Sequence, residues 1–402
     1  MPSIGPLAAY PFTPRGEDGR LLTRSFEQLV DSAIVAGVSA IGVLGSTGGF
    51  AYMPRSARKR IARSAVEVAD GRVPVIVGVG ALSTAEVLAN LAEAASVGAS
   101  GALLQPMAYQ PLQPEEIFGL YKDASSAATI PIWVYNNPAT TGHRFSVDEL
   151  TKLGRLSGVA GFKDRGANAA DIKDRIQKIT AELPQRTAKR LDWGFSGDGL
   201  GAQILLSGAS TWHSALASVL PEICVAIAAA AAADRAPEAR ALQRQLTPLS
   251  VMVRQYGGIR TTHTIAELLG LDAGVLPKPL LPLPRDARAL VKMALAGIDV
   301  PAPRAEATTP ASSQAAPVSA APVSAVPAAS SAPASSGSAA SPAAAESAGP
   351  TPRSASRSAS RSTAPLKRER TTATPVTDDD SSAPDGAGDE ASTLVGSGRH
   401  SG

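Results

Sequence analysis

Apolar positions in residues 1–218 follow two alternating patterns. Short runs rich in small and β-branched residues, such as Ala40–Leu44 and Val73–Val77, are typical of buried strands. Between them lie longer stretches in which apolar residues recur every three or four positions, as in Phe26–Ala36, and these are typical of amphipathic helices. The chain therefore predicts strands and helices in strict alternation. Thr84 is the expected N-cap of the helix after the third strand, and Ser146 is the expected cap of the helix after the fifth.

Eight strand segments can be placed in this way, with a helix in each gap between them. The predicted strands are Leu7–Tyr10, Ala40–Leu44, Val73–Val77, Gly101–Leu104, Ile130–Tyr135, Val159–Lys163, Leu191–Phe195 and Ala209–Trp212. Parallel strands need crossover helices, and eight such units can close into a barrel. An open doubly wound sheet is the alternative, but it normally carries a glycine-rich phosphate turn after its first strand, and none follows here. We therefore predict an α/β fold, a (β/α)8 TIM barrel, as the catalytic domain over residues 1–218.

Two further regions follow the predicted barrel. Residues 219–300 contain several helices, the first of which, Glu222–Ala233, would complete the eighth unit, while the rest would form a C-terminal helical appendage. Residues 301–402 are rich in Ala, Ser and Pro and contain no Phe, Trp, Tyr, Ile, Met or Cys. Such a composition cannot bury enough apolar surface to offset chain entropy, so we predict a disordered tail that either solubilises the protein or binds a partner.

Charge and composition argue against several classes of protein. The net charge of the 402-residue chain is only +3, which does not indicate nucleic-acid binding. The longest apolar run, Ile223–Ala233, is too short to span a bilayer, and the first residues lack the pattern of a signal peptide. The single cysteine, Cys224, lies in an Ala-rich apolar helix and cannot form an internal disulfide. We expect a cytoplasmic protein that binds neither membranes nor nucleic acid.

In a barrel of this type, active-site residues lie where the strands end. Lys163 ends the sixth predicted strand inside an apolar run, and lysine is seldom buried without a partner or a task. Because burial disfavours the ammonium form, a buried lysine is more often neutral and can attack a ketone. The residues alone leave open the alternative that Lys163 only contacts Asp164 at the rim.

Three other strand ends carry candidate chemistry. The segment Gly45–Gly49 offers backbone amides and two hydroxyls that can hold a carboxylate, although its sequence also fits an ordinary turn. Tyr135, followed by Asn136-Asn137-Pro138, either aims its phenol at the barrel axis or is structural. His213 is a catalytic candidate, but a lone histidine is more often structural, and no other histidine lies at metal-ligand spacing. We therefore predict neither a metal nor another cofactor.

Taken in chain order, these segments resemble one known family. The segments are Gly45-Ser46-Thr47-Gly48, Tyr135-Asn136-Asn137-Pro138, Gly161-Phe162-Lys163 and Ser196-Gly197-Asp198. Each is weak alone, but the ordered set with barrel-length spacing is similar to the dihydrodipicolinate synthase and N-acetylneuraminate lyase family of class I aldolases. The resemblance covers roughly residues 5–298.

The resemblance implies a role for each candidate residue. Lys163 would form a Schiff base with a small 2-oxo acid, and Tyr135 would relay protons during imine formation. Ser46 and Thr47 would hold the carboxylate of pyruvate or a pyruvate-like end, with Thr47 also in the proton relay. The backbone near Trp212 would face the substrate. The resemblance further implies a homo-oligomer, either a dimer or a tetramer.

The chain also departs from the family pattern. The family usually has Glu where this chain has Gly49, and the tyrosine that a neighbouring subunit often contributes is Ala108 here, with Tyr109 one place on. The synthase branch binds its aldehyde substrate with an arginine, but Thr140 stands at that position, with Arg144 four residues further along. These departures leave imine formation intact and disfavour aspartate semialdehyde as second substrate, relative to a hydroxylated or sugar-derived 2-oxo acid.

We predict a Schiff-base-forming lyase, an aldolase or dehydratase, that acts on pyruvate or a sugar-derived 2-oxo acid. Two alternatives remain: 4-hydroxy-tetrahydrodipicolinate synthase itself, and a non-catalytic relative that binds a small acid. A metal-dependent class II aldolase is disfavoured because it needs histidine and carboxylate ligands, and the chain has four His, one of them His400 in the tail.

Overall fold

The structure is a computed structural model that describes residues 3–299, and its centre is a closed barrel of eight parallel strands. Each strand pairs with the next, and β8 pairs with β1. The strands are β1 (Leu7–Ala9), β2 (Ala40–Val43), β3 (Val75–Gly78), β4 (Gly101–Leu104), β5 (Ile132–Tyr135), β6 (Val159–Asp164), β7 (Asp192–Ser196) and β8 (Thr211–Ser214). The predicted (β/α)8 barrel is confirmed. The predicted disordered tail, residues 301–402, lies outside the described residues.

Helices fill the gaps between the strands and continue beyond the last one. They are α1 (Thr23–Ala36), α2 (Arg55–Ala69), α3 (Thr84–Ser96), α4 (Pro114–Ala127), α5 (Pro138–Thr141), α6 (Val147–Gly154), α7 (Ala169–Glu182), α8 (Gln185–Arg190), α9 (Gly201–Leu206), α10 (Pro221–Ala232), α11 (Ala236–Tyr256), α12 (Gly258–Leu268) and α13 (Arg285–Ala296), with short 3-10 turns at Phe50–Tyr52 and Leu216–Ser218. No helix among residues 3–299 is long and apolar enough to cross a membrane.

Capping residues explain where two of these helices begin. Ser146 accepts a hydrogen bond from the Glu149 amide at 3.2 Å, and the Glu149 carboxylate accepts one from the Ser146 amide at 2.8 Å, which confirms Ser146 as the cap of α6. For α3 we expected Thr84 as the cap, and this was wrong. Ser83 is extended and accepts from the Glu86 amide, so the helix already includes Thr84.

Two apolar layers hold the barrel together. A large core lies between the strands and the surrounding helices, and a smaller cluster fills the barrel itself. The smaller cluster consists of Ile4, Ala8, Tyr10, Ala40, Ile76, Leu103, Trp133, Tyr135 and Ala160. Neighbouring residues of a strand face opposite sides, so Ala8 points inward while Leu7 and Ala9 belong to the outer core. This alternation decides which side chains can reach the barrel axis.

The C-terminal helices extend the outer core and return to the barrel mouth. Helix α10 packs against α1 and α9, as the helix of the eighth unit does in a closed barrel. Helix α11 then packs on α9 and α10, and α12 and α13 pack on α11. The buried residue Cys224 lies within α10. The first turn of α12 lies beside Thr47, which brings a distant part of the chain to the ends of the strands.

Candidate active site

Lys163 extends from β6 into the interior of the barrel. It pairs with Tyr135 on β5 and with Gly194 on β7, and it is only 8% exposed. Its Nζ atom lies 3.2 Å from the centroid of the Tyr10 ring and 5.4 Å from that of the Tyr135 ring. The amine therefore lies between two phenol rings.

Two glycines make room for this arrangement. A Cβ atom at Gly42 would lie 2.2 Å from the Tyr10 ring, and one at Gly194 would lie 2.1 Å from His213 Nε2. Tyr10 Oη and His213 Nδ1 are in turn hydrogen-bonded at 3.0 Å. Any larger residue at either position would displace the Tyr10–His213 pair from Lys163. Sequence reasoning missed Tyr10, and the glycine in the middle of β2 was the signal that could have pointed to a close approach.

Burial and charge set the ionisation of the Lys163 amine. Burial lowers its pKa to about 7, and the Asp198 carboxylate opposes this shift. Asp198 is itself buried and accepts hydrogen bonds from Ser214 Oγ at 2.5 Å and the Leu216 amide at 3.2 Å. Burial, and after it the charge of Lys163, lowers the pKa of His213 well below its usual value, so this imidazole is neutral. Near neutral pH a large fraction of Lys163 is therefore an uncharged amine.

Asp164, the next residue of β6, points away from Lys163. It accepts hydrogen bonds from Asn136 Nδ2 at 2.6 Å and from Arg175 Nε at 2.8 Å. Successive strand residues face opposite sides, so the two neighbours cannot share a site. The alternative interpretation of Lys163, a rim contact with Asp164, is wrong.

The hydroxyl of Tyr135 is the centre of a small hydrogen-bond network. It is bonded to Ser46 Oγ at 2.9 Å, accepts from Asn137 Nδ2 at 3.0 Å and lies 3.4 Å from Thr140 Oγ1. Thr47 is absent from this network. Its Oγ1 lies beside Gly258 of α12, only 2.8 Å from the position that a Cβ there would occupy. The structure thus connects Tyr135 to Ser46, whereas the resemblance implies Thr47 as its relay partner.

The turn after β2 presents free backbone amides. Leu44 adopts a left-handed conformation with φ of 57°, which is costly for a residue with a branched side chain and is common where function constrains the backbone. Among residues 3–299, the amides of Thr47 and Gly48 have no hydrogen-bond partner. These amides and the Ser46 hydroxyl are uncharged donors of the kind that a carboxylate accepts, and the expected carboxylate site stays a prediction.

A cavity of about 300 Å³ opens at this end of the barrel. Its wall includes Ser46, Gln105, Tyr135 and Thr140 from the barrel loops, and Gly257 to Arg260 from α12. Lys163 does not line this cavity, but its Nζ lies 5.4 Å from the ring centroid of Tyr135, which does. Another cavity, of about 270 Å³, lies on the outer surface between α4 and α6 and contains none of the predicted site residues.

Other predicted residues lie outside the cavity. The Trp212 side chain is fully buried against Gly201 of α9, so any contact with substrate falls to the backbone of β8, and that expectation stays a prediction. Arg144 is exposed to solvent and does not line the cavity. Tyr109 is 88% exposed, in the loop after β4. The structure therefore brings together Lys163, Tyr135 and Ser46, with Thr47 at the edge of the same site.

Comparison with known proteins places this chain in a family. A sequence profile of the dihydrodipicolinate synthetase family matches residues 4–297. The chain is 32% identical over 263 residues to an uncharacterized DapA-like lyase of Halobacterium salinarum, covering 65% of this chain and 84% of that protein. It is 31% identical over 290 residues to the 4-hydroxy-tetrahydrodipicolinate synthase of an Azoarcus species, covering 71% and 96%.

A solved structure agrees with these relatives. The dihydrodipicolinate synthase of Agrobacterium tumefaciens superposes with a TM-score of 0.69 at 33% sequence identity, and the match covers 74% of this chain and 98% of that one. The matched region includes the whole barrel and the C-terminal helices, together with every residue of the site above. The protein is accordingly a lyase, and it belongs to the dihydrodipicolinate synthetase family.

Proposed function

We propose that this protein forms an imine between Lys163 and the carbonyl carbon of a 2-oxo acid, either pyruvate or a sugar-derived 2-oxo acid. One observation carries the proposal: a buried lysine whose pKa is lowered to about 7 has its Nζ 5.4 Å from the ring centroid of Tyr135, a residue that lines a cavity. A perturbed lysine in such a setting is typical of Schiff-base enzymes.

The geometry supports a stepwise mechanism. The neutral Lys163 amine adds to the C2 carbonyl, and the carbonyl oxygen takes up a proton to give a carbinolamine. We assign to Tyr135, which is hydrogen-bonded to Ser46, the transfer of protons to and from this oxygen until it leaves as water. The resulting protonated imine withdraws electrons from C3. In a substrate with a hydroxyl on C4, the bond from C3 to C4 can then break: its electron pair moves into the enamine, the hydroxyl gives its proton to water, and C4 leaves as a carbonyl carbon. Protonation of C3 and hydrolysis of the imine restore the lysine.

The turn after β2 supports binding of the substrate carboxylate. The two free amides and the hydroxyls of Ser46 and Thr47 supply donors without a net charge. We assign Ser46 a double role, in carboxylate binding and as the partner of Tyr135.

Reduction of the imine tests this function. Incubation with pyruvate and borohydride should add one pyruvyl group to the intact protein, because reduction converts the imine into a stable secondary amine. Peptide mapping should locate the adduct on Lys163. An adduct on another lysine, or no adduct with any 2-oxo acid, would contradict the proposal; binding without an adduct would indicate a non-catalytic relative.

The second substrate gives a separate prediction. We expect aspartate semialdehyde to be a poor partner for pyruvate, because the neutral Thr140 stands where the synthases have an arginine. Loss of a charge-assisted bond, worth about 1.5–3 kcal/mol, lowers affinity or rate about ten- to a hundredfold. A coupled condensation assay, run beside cleavage and dehydration assays on sugar-derived 2-oxo acids, measures the preference.

The same assays identify the result that would overturn this prediction. Efficient formation of the dihydrodipicolinate product, abolished in Arg144→Ala, would show that Arg144 moves inward and serves as a displaced carboxylate clamp. The exposure of Arg144 on the loop after α5 argues against such a role.

A further inference from the structure

We propose that Arg260 binds a second anionic group of the substrate, so that the preferred substrates are 2-oxo acids with a carboxylate at the far end. The inference rests on the proposed function, because the carbonyl end of the substrate must react at Lys163. It assigns a substrate class to the cavity wall formed by α12, a part of the chain for which the sequence indicated no chemistry.

Two backbone carbonyls hold the Arg260 guanidinium in place. Its Nε donates to the Leu281 carbonyl at 3.1 Å, and its Nη1 donates to the Tyr256 carbonyl at 3.0 Å. A guanidinium has five N–H donors, so three remain for another partner. The side chain is thus fixed on the cavity wall with donors to spare, and a fixed fork loses little entropy when it binds.

The charge of Arg260 is not neutralised by the protein. Across residues 3–299, no carboxylate lies within ion-pair distance of its guanidinium. Arg260 is also the one charged side chain among the described residues that line the cavity. A partly buried arginine without a counter-ion, on the wall of a site that takes acids, favours an anionic ligand.

The first turn of α12 adds to the positive potential at this wall. Gly257, Gly258 and Ile259 line the cavity, and Gly257 supplies no side chain to cap the helix. The amides at the start of a helix carry a partial positive charge. Gly257 also leaves space beside the guanidinium, since a Cβ atom there would have Arg260 Nη1 at 3.9 Å as its one contact within 4 Å.

The class of substrate that fits this wall is a 2-oxo acid with a second carboxylate at its far end. Oxidised sugar acids with a carboxyl group at each end belong to this class.

Matched pairs of 2-oxo acids test the inference. We would compare 2-oxoglutarate with 2-oxopentanoate, and 2-oxoadipate with 2-oxohexanoate, since each pair differs mainly in the distal carboxylate. The readout is the concentration of each acid that gives half-maximal borohydride adduct on the full-length protein. The wild type should prefer the diacid of at least one pair by about ten- to a hundredfold.

Variants of Arg260 should move this ratio in a defined way. Arg260→Gln should bring the ratio close to one, and Arg260→Lys, which keeps the charge without the fork, should retain part of the preference. The preference should also decrease with added salt. Arg254→Gln, an exposed arginine in the last turn of α11, is the matched control and should leave the ratio unchanged.

Two results would overturn the inference, and a third would refute the proposed function instead. Equal half-saturation for diacid and monoacid in the wild type would remove the second anion site. An equal loss for both acids in Arg260→Gln would show that Arg260 serves the carboxylate next to the carbonyl, or only ties α12 to the loop at Leu281. A failure of every 2-oxo acid, pyruvate included, to form an adduct would refute imine formation at Lys163 itself.

Discussion

Replacing Lys163 by methionine should abolish turnover and, at the same time, stabilise the fold. The loss of the nucleophile removes imine formation, so we expect turnover to fall by about ten-thousand-fold or more and the borohydride adduct to disappear. Methionine has a similar length and no charge, so it should pack between the rings of Tyr10 and Tyr135. The native protein holds a buried amine whose pKa is lowered to about 7, and that shift is a cost to stability.

The protonation of Lys163 determines how the stability of the fold should change with pH. Between pH 7 and the ordinary lysine pKa, the unfolded chain binds a proton at Lys163 and the folded chain does not. The wild type therefore gains stability as pH rises through this window, and at pH 7 or below it carries the full cost, on the order of 4 kcal/mol. The stability advantage of Lys163→Met should be largest near pH 6–7 and shrink toward pH 10, as measured by denaturant unfolding at each pH.

A matched variant shows whether the effects of Lys163→Met come from the burial of that lysine or would follow from the loss of any lysine. Lys173→Met changes an exposed lysine on α7 and should leave both turnover and the pH dependence of stability near wild type. If Lys163→Met destabilises the protein at pH 7, or if its effect on stability does not vary with pH, the amine is not desolvated in the way described. Adduct formation by Lys163→Met would show that another lysine is the nucleophile.

Replacing Tyr135 by phenylalanine should slow the reaction by about a hundred- to a thousandfold while leaving Lys163 in place. The phenol is hydrogen-bonded to both the Ser46 hydroxyl and the Asn137 side-chain amide. Proton transfer by a positioned side chain typically accelerates a reaction by about a hundredfold or more. Slow accumulation of the pyruvate adduct should continue, because the amine remains available. Single-turnover trapping with borohydride measures the rate of imine formation directly.

Tyr121 provides the control for losing a phenol. Its buried hydroxyl donates to the Leu104 carbonyl at 2.7 Å and accepts from the Tyr135 backbone amide at 3.4 Å, and Tyr121 does not line the cavity. Tyr121→Phe should cost about 1 kcal/mol of stability and change the rate of imine formation by only a few-fold. Equal rates for Tyr135→Phe and the wild type would exclude Tyr135 from the proton relay and leave Ser46 or Thr47 as the remaining hydroxyls.

The local pattern of the chain was sufficient to predict the barrel and its central lysine. Strand and helix periods are written in consecutive residues, so eight alternating units could be recognised before their contacts were known. Lys163 stood out because a charged residue at the end of an apolar run conflicts with the pattern around it, and such conflicts concentrate at functional sites. The same reasoning drew attention to Tyr135 and to the turn after β2.

The partners of these residues were decided by the closure of the barrel. Tyr10 follows β1, Asp198 follows β7 and Arg260 lies on α12. The first two nevertheless set the surroundings of Lys163, and the third lines the cavity at the ends of the strands. No pattern within a single segment contains this information, because the contacts join residues that are far apart in the chain. The oligomeric state stays a prediction for the same reason, since it depends on surfaces that only a second copy would cover.

The sequence alone thus determined the fold class and singled out Lys163 as the candidate nucleophile, because the first follows from short-range periodicity and the second from the cost of burying a charge. Only the tertiary structure decided that Ser46 rather than Thr47 is bonded to Tyr135, that Asp164 faces Arg175, and that α12 places a cation on the cavity wall. These choices depend on the direction in which each side chain leaves a curved, closed sheet. A shift of one residue reverses that direction, and long-range packing selects between the two.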